Sequence, residues 1–137
     1  MDTYKVLVVD DEEDFLKTLV NRLRRRNFAA DGVESGEEAV EQIRRQPYDV
    51  VILDIKMPGG MDGIEALREI HRIQPEVEVI LLTGHASVET SIEGMKLGAF
   101  DYLMKPIKLE DLMIKLNQAC EKMAAKNKKR RPPGSVD

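Results

Sequence analysis

Asp10 and Asp11 follow the apolar run Val6-Leu7-Val8-Val9, and Asp54 follows the run Val50-Val51-Ile52-Leu53. Carboxylates gathered at the ends of neighbouring strands repel one another, and either a bound cation or raised pKa values must relieve the repulsion. A hard divalent ion suits these donors. Mg2+ takes oxygen ligands in octahedral geometry and keeps several waters, so a few carboxylates and a backbone carbonyl suffice, and Mn2+ accepts the same kind of set. Thr83 follows Val79-Ile80-Leu81-Leu82, and Lys105 follows the segment 100–104. A hydroxyl and an ammonium group beside the ion would compensate the oxygens of a phosphoryl group carried on Asp54. Taken singly, each residue has a plainer use: Asp10 and Asp11 as helix caps, Asp54 in a turn, Thr83 as a structural hydroxyl, Lys105 as a solvated charge. The signal is that all of them end strand-like runs. Gly84, after Thr83, leaves backbone room for an incoming group, as a plain turn would.

The elements that must position these residues are legible in the hydrophobic pattern. Three uninterrupted apolar runs, at 6–9, 50–53 and 79–82, read as strands covered on both faces, hence central in a parallel sheet. Segments Phe28 to Val33 and Phe100 to Met104 are less uniformly apolar and read as edge strands. Phe15, Leu16, Leu19, Val20 and Leu23 recur at helical spacing, as do Leu109, Leu112, Met113, Leu116 and Cys120. Ser35 with Glu38, and Asp62 with Glu65, fit capping boxes at two further helix starts. Five strands alternating with five helices predict an α/β domain with a doubly wound parallel sheet in three layers. Its ligand crevice lies beyond the carboxyl ends of the strands, where the acidic residues fall.

Composition narrows the function classes. The chain has 137 residues, 42% of them hydrophobic, which suits one domain with a real core. Cys120 is the single cysteine, so no internal disulfide or cysteine cluster can form; it reads as a core residue of a cytosolic protein. No run approaches a membrane span and Met1 to Val9 lacks a secretory pattern, so a soluble protein is expected. Net charge is −4, with +4 on residues 126–137 and −8 on residues 1–125. The expected division is therefore an acidic domain over 1–125 and a basic, proline-containing tail or linker over 126–137.

Five motifs carry a family resemblance over residues 4–123: Val8-Val9-Asp10-Asp11-Glu12, Leu53-Asp54-Ile55-Lys56-Met57-Pro58, Met61-Asp62-Gly63, Leu82-Thr83-Gly84 and Gly98-Ala99-Phe100-Asp101-Tyr102-Leu103-Met104-Lys105-Pro106. Together they resemble the receiver domain of response regulators in bacterial two-component systems. The resemblance implies a flavodoxin-like sheet of order 2-1-3-4-5. It implies that Asp54 is the phosphoacceptor, and that Asp11, Asp54 and the backbone carbonyl of Lys56 bind Mg2+ or Mn2+, Asp10 helping through water. Lys105 would pair with phosphoryl oxygens, and its peptide bond to Pro106 would be cis. Thr83 and Tyr102 would be a switch pair altering the surface of the fourth helix, fifth strand and fifth helix, although Tyr102 also suits plain packing. Lys56 and His85 occupy positions that tune phosphoryl lifetime in the family. The implied donor is a sensor histidine kinase or a phosphotransfer protein, and helices 4 and 5 could meet an output domain or a second copy. The loop Met57-Pro58-Gly59-Gly60-Met61-Asp62-Gly63 departs from the common pattern by one extra glycine, which should loosen the rim. His71 is expected to face solvent.

Rival classes fit less well. A Mg2+-dependent phosphatase with an aspartyl nucleophile commonly needs a second carboxylate two residues on, and that position is Lys56. A nucleotide or flavin module would need a glycine-rich loop after the first strand, where Asp10-Asp11-Glu12-Glu13 would repel phosphate. No helix-turn-helix unit with a basic reading helix is recognisable, so direct nucleic-acid binding is not expected of this domain.

Overall fold

The computed structural model describes residues 3–57, 59–84 and 88–130, with side chains described to residue 127. Strands and helices alternate: β1 (Lys5–Val9), α1 (Glu13–Arg25), β2 (Ala29–Val33), α2 (Gly36–Arg45), β3 (Val50–Asp54), α3 (Gly63–Ile73), β4 (Glu78–Thr83), α4 (Val88–Lys96), β5 (Asp101–Met104) and α5 (Leu109–Arg130). All pairings are parallel, in the order β2-β1-β3-β4-β5. The three uninterrupted apolar runs lie at the centre and the two mixed segments at the edges, as expected.

Period-two alternation along the central strands divides the core. Val6, Val8, Val50, Ile52, Ile80 and Leu82 face α1 and α5, where they meet Leu16, Leu19, Val20, Leu23, Leu112 and Leu116. Leu7, Val9, Val51, Leu53, Val79 and Leu81 face the other way, onto Ala39 and Ile43 of α2 and Ala66, Leu67 and Ile70 of α3. Each fully buried aliphatic side chain contributes about 1.5–3 kcal/mol, so no loop geometry at the sheet's end could shift the strand register cheaply. Cys120 is buried as expected, and burial pushes its thiol up to about 12. It stays protonated and unreactive.

The helix starts follow the expected chemistry. Ser35 Oγ accepts from the Glu38 N–H at 3.1 Å, while the Glu38 carboxylate accepts from the N–H of Glu34, one residue ahead of the cap. Asp62 Oδ1 accepts from the Glu65 N–H at 2.9 Å. Gly63 then packs against the end of β3: its N–H donates to the Ile55 carbonyl at 3.0 Å, and a Cβ there would lie 2.5 Å from Ile55 Cα. Only glycine permits that approach.

One expectation changes, and one element runs longer than its apolar period. His71 is half-buried rather than solvent-facing, with Nε2 3.3 Å from the Val77 carbonyl and its ring beside Gly98. The 3.6-residue period placed it off the apolar stripe of α3, but the following loop folds back over that flank. The division expected at residue 125 falls inside α5, which continues to Arg130. Lys126, counted as tail, donates to the Glu76 carbonyl at 2.9 Å and, with Lys122 at 3.5 Å, pairs with the carboxylate of Glu78. Glu78 opens β4 and is 2% exposed. No helix among the described residues is long and apolar enough to cross a membrane.

Candidate functional site

Strand register brings the predicted residues to one end of the sheet. Val9 stands beside Leu53, Asp54 beside Leu82 and Thr83 beside Met104, so Asp54 and Thr83, the last residues of β3 and β4, and Asp10 and Lys105, which follow β1 and β5, emerge at one end of the sheet. The winding direction reverses between β1 and β3, where an open α/β sheet leaves its crevice.

Asp10, Asp11 and Asp54 meet there, each offering a carboxylate oxygen within 4.8 Å of the others. Asp10 and Asp54 are buried and Asp11 is exposed, which makes the pocket open on one side. Each buried carboxylate is fixed by the chain that follows it. Asp10 Oδ1 accepts from the Glu12 N–H at 2.9 Å, and Asp54 Oδ1 accepts from the Lys56 N–H at 3.2 Å.

Lys105 is the counter-charge. Its Nζ lies 2.9 Å from Asp10 Oδ2, 3.2 Å from Glu12 Oε1 and 3.5 Å from Asp54 Oδ2, and 5.0 Å above the ring of Phe15. Its backbone N–H donates to the Thr83 carbonyl at 2.7 Å, and its peptide bond to Pro106 is cis. Burial alone would lower the lysine pKa, but the hydrogen bond to Asp10 and the charges of Asp54 and Asp10 raise it. Lys105 is therefore a fixed positive charge.

One ammonium does not balance the pocket. Burial first, then the charge of Asp10, raises Asp54 from its ordinary 3.8 to about 6, against the opposing pull of Lys105 and the Lys56 N–H. Oxygen donors carrying excess negative charge in an open crevice fit Mg2+ or Mn2+, and no nitrogen or sulfur donor competes among the clustered groups.

The remaining predicted residues surround this cluster unevenly. Thr83 is buried, and its hydroxyl donates to the Gly84 carbonyl at 3.0 Å. Tyr102 is 41% exposed on β5, with Met104 exposed beside it and Val88, Ile92 and Met95 of α4 and Ile114 of α5 also exposed. Lys56 is exposed at the rim, whereas His85 lies outside the described residues. Gly59 and Gly60 adopt φ of 75° and 85°, the left-handed values that two glycines permit. The rim is nevertheless tethered, because the Met61 N–H donates to Glu37 Oε2 at 3.2 Å. Sequence reasoning missed Glu12 and Phe15 as partners of Lys105. The acidic run after β1 hinted at Glu12, but nothing in the helical spacing of Phe15 distinguished a ring under an ammonium from ordinary packing.

Residues 6–117 match the family described as the response regulator receiver domain. The transcriptional regulatory protein ZraR of Escherichia coli (strain K12) is 39% identical over 118 residues, covering 86% of this chain and 26% of ZraR. A putative response regulator NtrX-like protein of Rickettsia bellii (strain RML369-C) is 36% identical over 122 residues, with coverage of 88% and 26%. The chain thus spans about a quarter of the length of these curated relatives. A response regulator receiver domain protein from Clostridium thermocellum superposes with a TM-score of 0.84 at 37% identity, covering 89% of this chain and 98% of that one.

Proposed function

This chain belongs to the response regulator receiver domain family, and from that premise we propose that Asp54 is its phosphoacceptor and Lys105, Thr83 and Tyr102 its readout. Receiver domains of two-component response regulators are signalling phospho-switches that bind Mg2+ at an acidic pocket. The observation that carries the residue assignment is the meeting of Asp10, Asp11 and Asp54 within 4.8 Å, with Lys105 spanning the two buried carboxylates.

Asp11, Asp54 and the carbonyl of Lys56 would hold Mg2+ or Mn2+, with Asp10 acting through water. When bound, the ion supplies positive charge against the phosphoryl oxygens. Asp54 Oδ attacks phosphorus as the bond to the donor breaks, and the leaving group keeps that electron pair and takes up a proton. The donor is a phosphohistidine on a sensor kinase or phosphotransfer protein, or a small phosphodonor. Lys105 already spans Asp10 and Asp54, so its ammonium can shift to a phosphoryl oxygen without crossing the site.

Thr83 and Tyr102 form the proposed switch. The Thr83 hydroxyl bonded to the Gly84 carbonyl and the exposed Tyr102 ring suit the unphosphorylated arrangement. Phosphorylation would draw the hydroxyl toward the new oxygens and let the ring turn inward. The population shifts only by the difference in phosphate affinity between the two arrangements. The surface that changes is that of α4, β5 and α5, for an output domain or a second copy. Lys56, at the rim, and His85, two residues beyond Thr83 in sequence, would tune attack by water on the aspartyl phosphate. The acidic body argues against nucleic-acid binding by this domain, and we place it in the cytoplasm with its kinase.

Incubation with Mg2+ and a small phosphodonor, followed by intact-mass measurement, tests this. Wild type gains one phosphoryl group only when Mg2+ is present, and Asp54→Ala gains none. A modified Asp54→Ala, or a wild type that stays unmodified, sinks the assignment.

A further inference from the structure

The wall of the site after β3 contains Gly59 and Gly60, both at positive φ. Resting on the reading that the Lys56 carbonyl at the start of this loop is a metal ligand, we infer that Glu37 of α2 is a positioning residue that shapes the loop for the divalent ion.

Three observations converge on Glu37. Its Oε2 accepts from the Met61 N–H at 3.2 Å, joining α2 to a segment 24 residues away. A Cβ at position 60 would lie 2.3 Å from that same oxygen, so the missing side chain of Gly60 is what admits the carboxylate. Gly36, the preceding residue, packs less tightly on the same segment: a Cβ there would lie 3.2 Å from the Met61 carbonyl oxygen. The extra glycine of the loop and the acid of α2 thus form one device.

The constraint reaches the ion through the chain. Beyond Met61 stands Asp62, which caps α3, and then Gly63, whose N–H binds the Ile55 carbonyl at 3.0 Å. Ile55 lies between Asp54 and Lys56. The loop is therefore fastened to β3 at Gly63 and to α2 at Glu37. Without the second fastening, two glycines sample many conformations, and the ion must order them on binding. Glu37 also sits in the first turn of α2, where a carboxylate complements the helix dipole. That role alone would leave metal affinity untouched.

Calorimetric Mg2+ titration of the full chain separates the two. Glu37→Ala is expected to bind Mg2+ about fivefold more weakly, because the exposed hydrogen bond it removes contributes about 1 kcal/mol to ordering the loop. Glu37→Gln stays close to wild type, because its amide oxygen still accepts from Met61. Gly60→Ala, which displaces the Glu37 carboxylate and also strains a residue held at φ 85°, loses at least as much affinity as Glu37→Ala does. Amide exchange at Met61 quickens in Glu37→Ala and in Gly60→Ala but not in Glu37→Gln. Wild-type affinity in Glu37→Ala, or equal losses in the alanine and glutamine variants, overturns the positioning role. A wild type that binds no Mg2+ instead overturns the metal reading beneath it.

Discussion

Replacing Lys122 and Lys126 together with methionine lowers the stability of this protein by about 3 kcal/mol, the lower end of the cost of stranding a buried charge. Glu78 opens a strand whose six residues are all buried, and it is itself 2% exposed. Its charge is compensated by the two lysines of α5, one of which also bonds the Glu76 carbonyl. Methionine keeps the apolar stems and the helix propensity while removing both ammonium groups, so lost packing contributes little. Adding Glu78→Gln to the double variant recovers most of the loss, since an amide costs far less to bury than an unpaired carboxylate. Urea denaturation of the three proteins measures this. A double variant as stable as wild type would mean that water reaches Glu78. Both lysines lie beyond residue 117, where the family match ends, so a chain cut there loses the same compensation.

Asp54→Asn stabilises the metal-free protein by about 2 kcal/mol at pH 7 to 8, and the gain fades in acid. Burial and the neighbouring Asp10 raise Asp54 to about 6 in the folded state, against 3.8 ordinarily. The folded protein therefore holds the Asp54 proton more tightly than the unfolded chain does. Its contribution to stability is fully present below about pH 4 and is lost as pH rises through about 6. Asparagine carries no such charge, so the variant pulls ahead of wild type as pH climbs. Thermal unfolding in a chelator at pH 4 and pH 8 reads the difference. A gain of equal size at both pH values would assign the effect to packing rather than charge. Added Mg2+ narrows the gap at pH 8, because the ion compensates the charged carboxylate of wild type alone. The apparent defect of a buried, underbalanced acid is then what keeps the site ready for a cation.

Much of this arrangement was legible before folding was considered. Val6 to Val9, Val50 to Leu53 and Val79 to Leu82 are apolar enough to demand the centre of a sheet, and the acidic residues behind the first two had to emerge at its end. What escaped were contacts set by how helices lie on the sheet. Lys105 reaching Glu12 and Phe15 depends on the path of the chain after β5 relative to α1, which no spacing within either segment encodes. Glu78 is hidden because the uninterrupted apolar run begins at Val79, although a charge at the mouth of such a run asks for a partner. The stretch from Lys126 to Arg130 lacks an apolar period, yet it continues a helix already nucleated, where each residue adds a hydrogen bond at little further cost. His71 failed for the opposite reason: periodicity describes one helix, and the loop carrying Val77 closes over its far side.

Crystals soaked in Mn2+, with data collected for the anomalous signal of manganese, test the central claim most directly. One strong peak is expected, bound by carboxylate oxygens of Asp11 and Asp54 and the carbonyl of Lys56. A saturated crystal with no peak between those carboxylates, or with its manganese seated elsewhere on the surface, would contradict it.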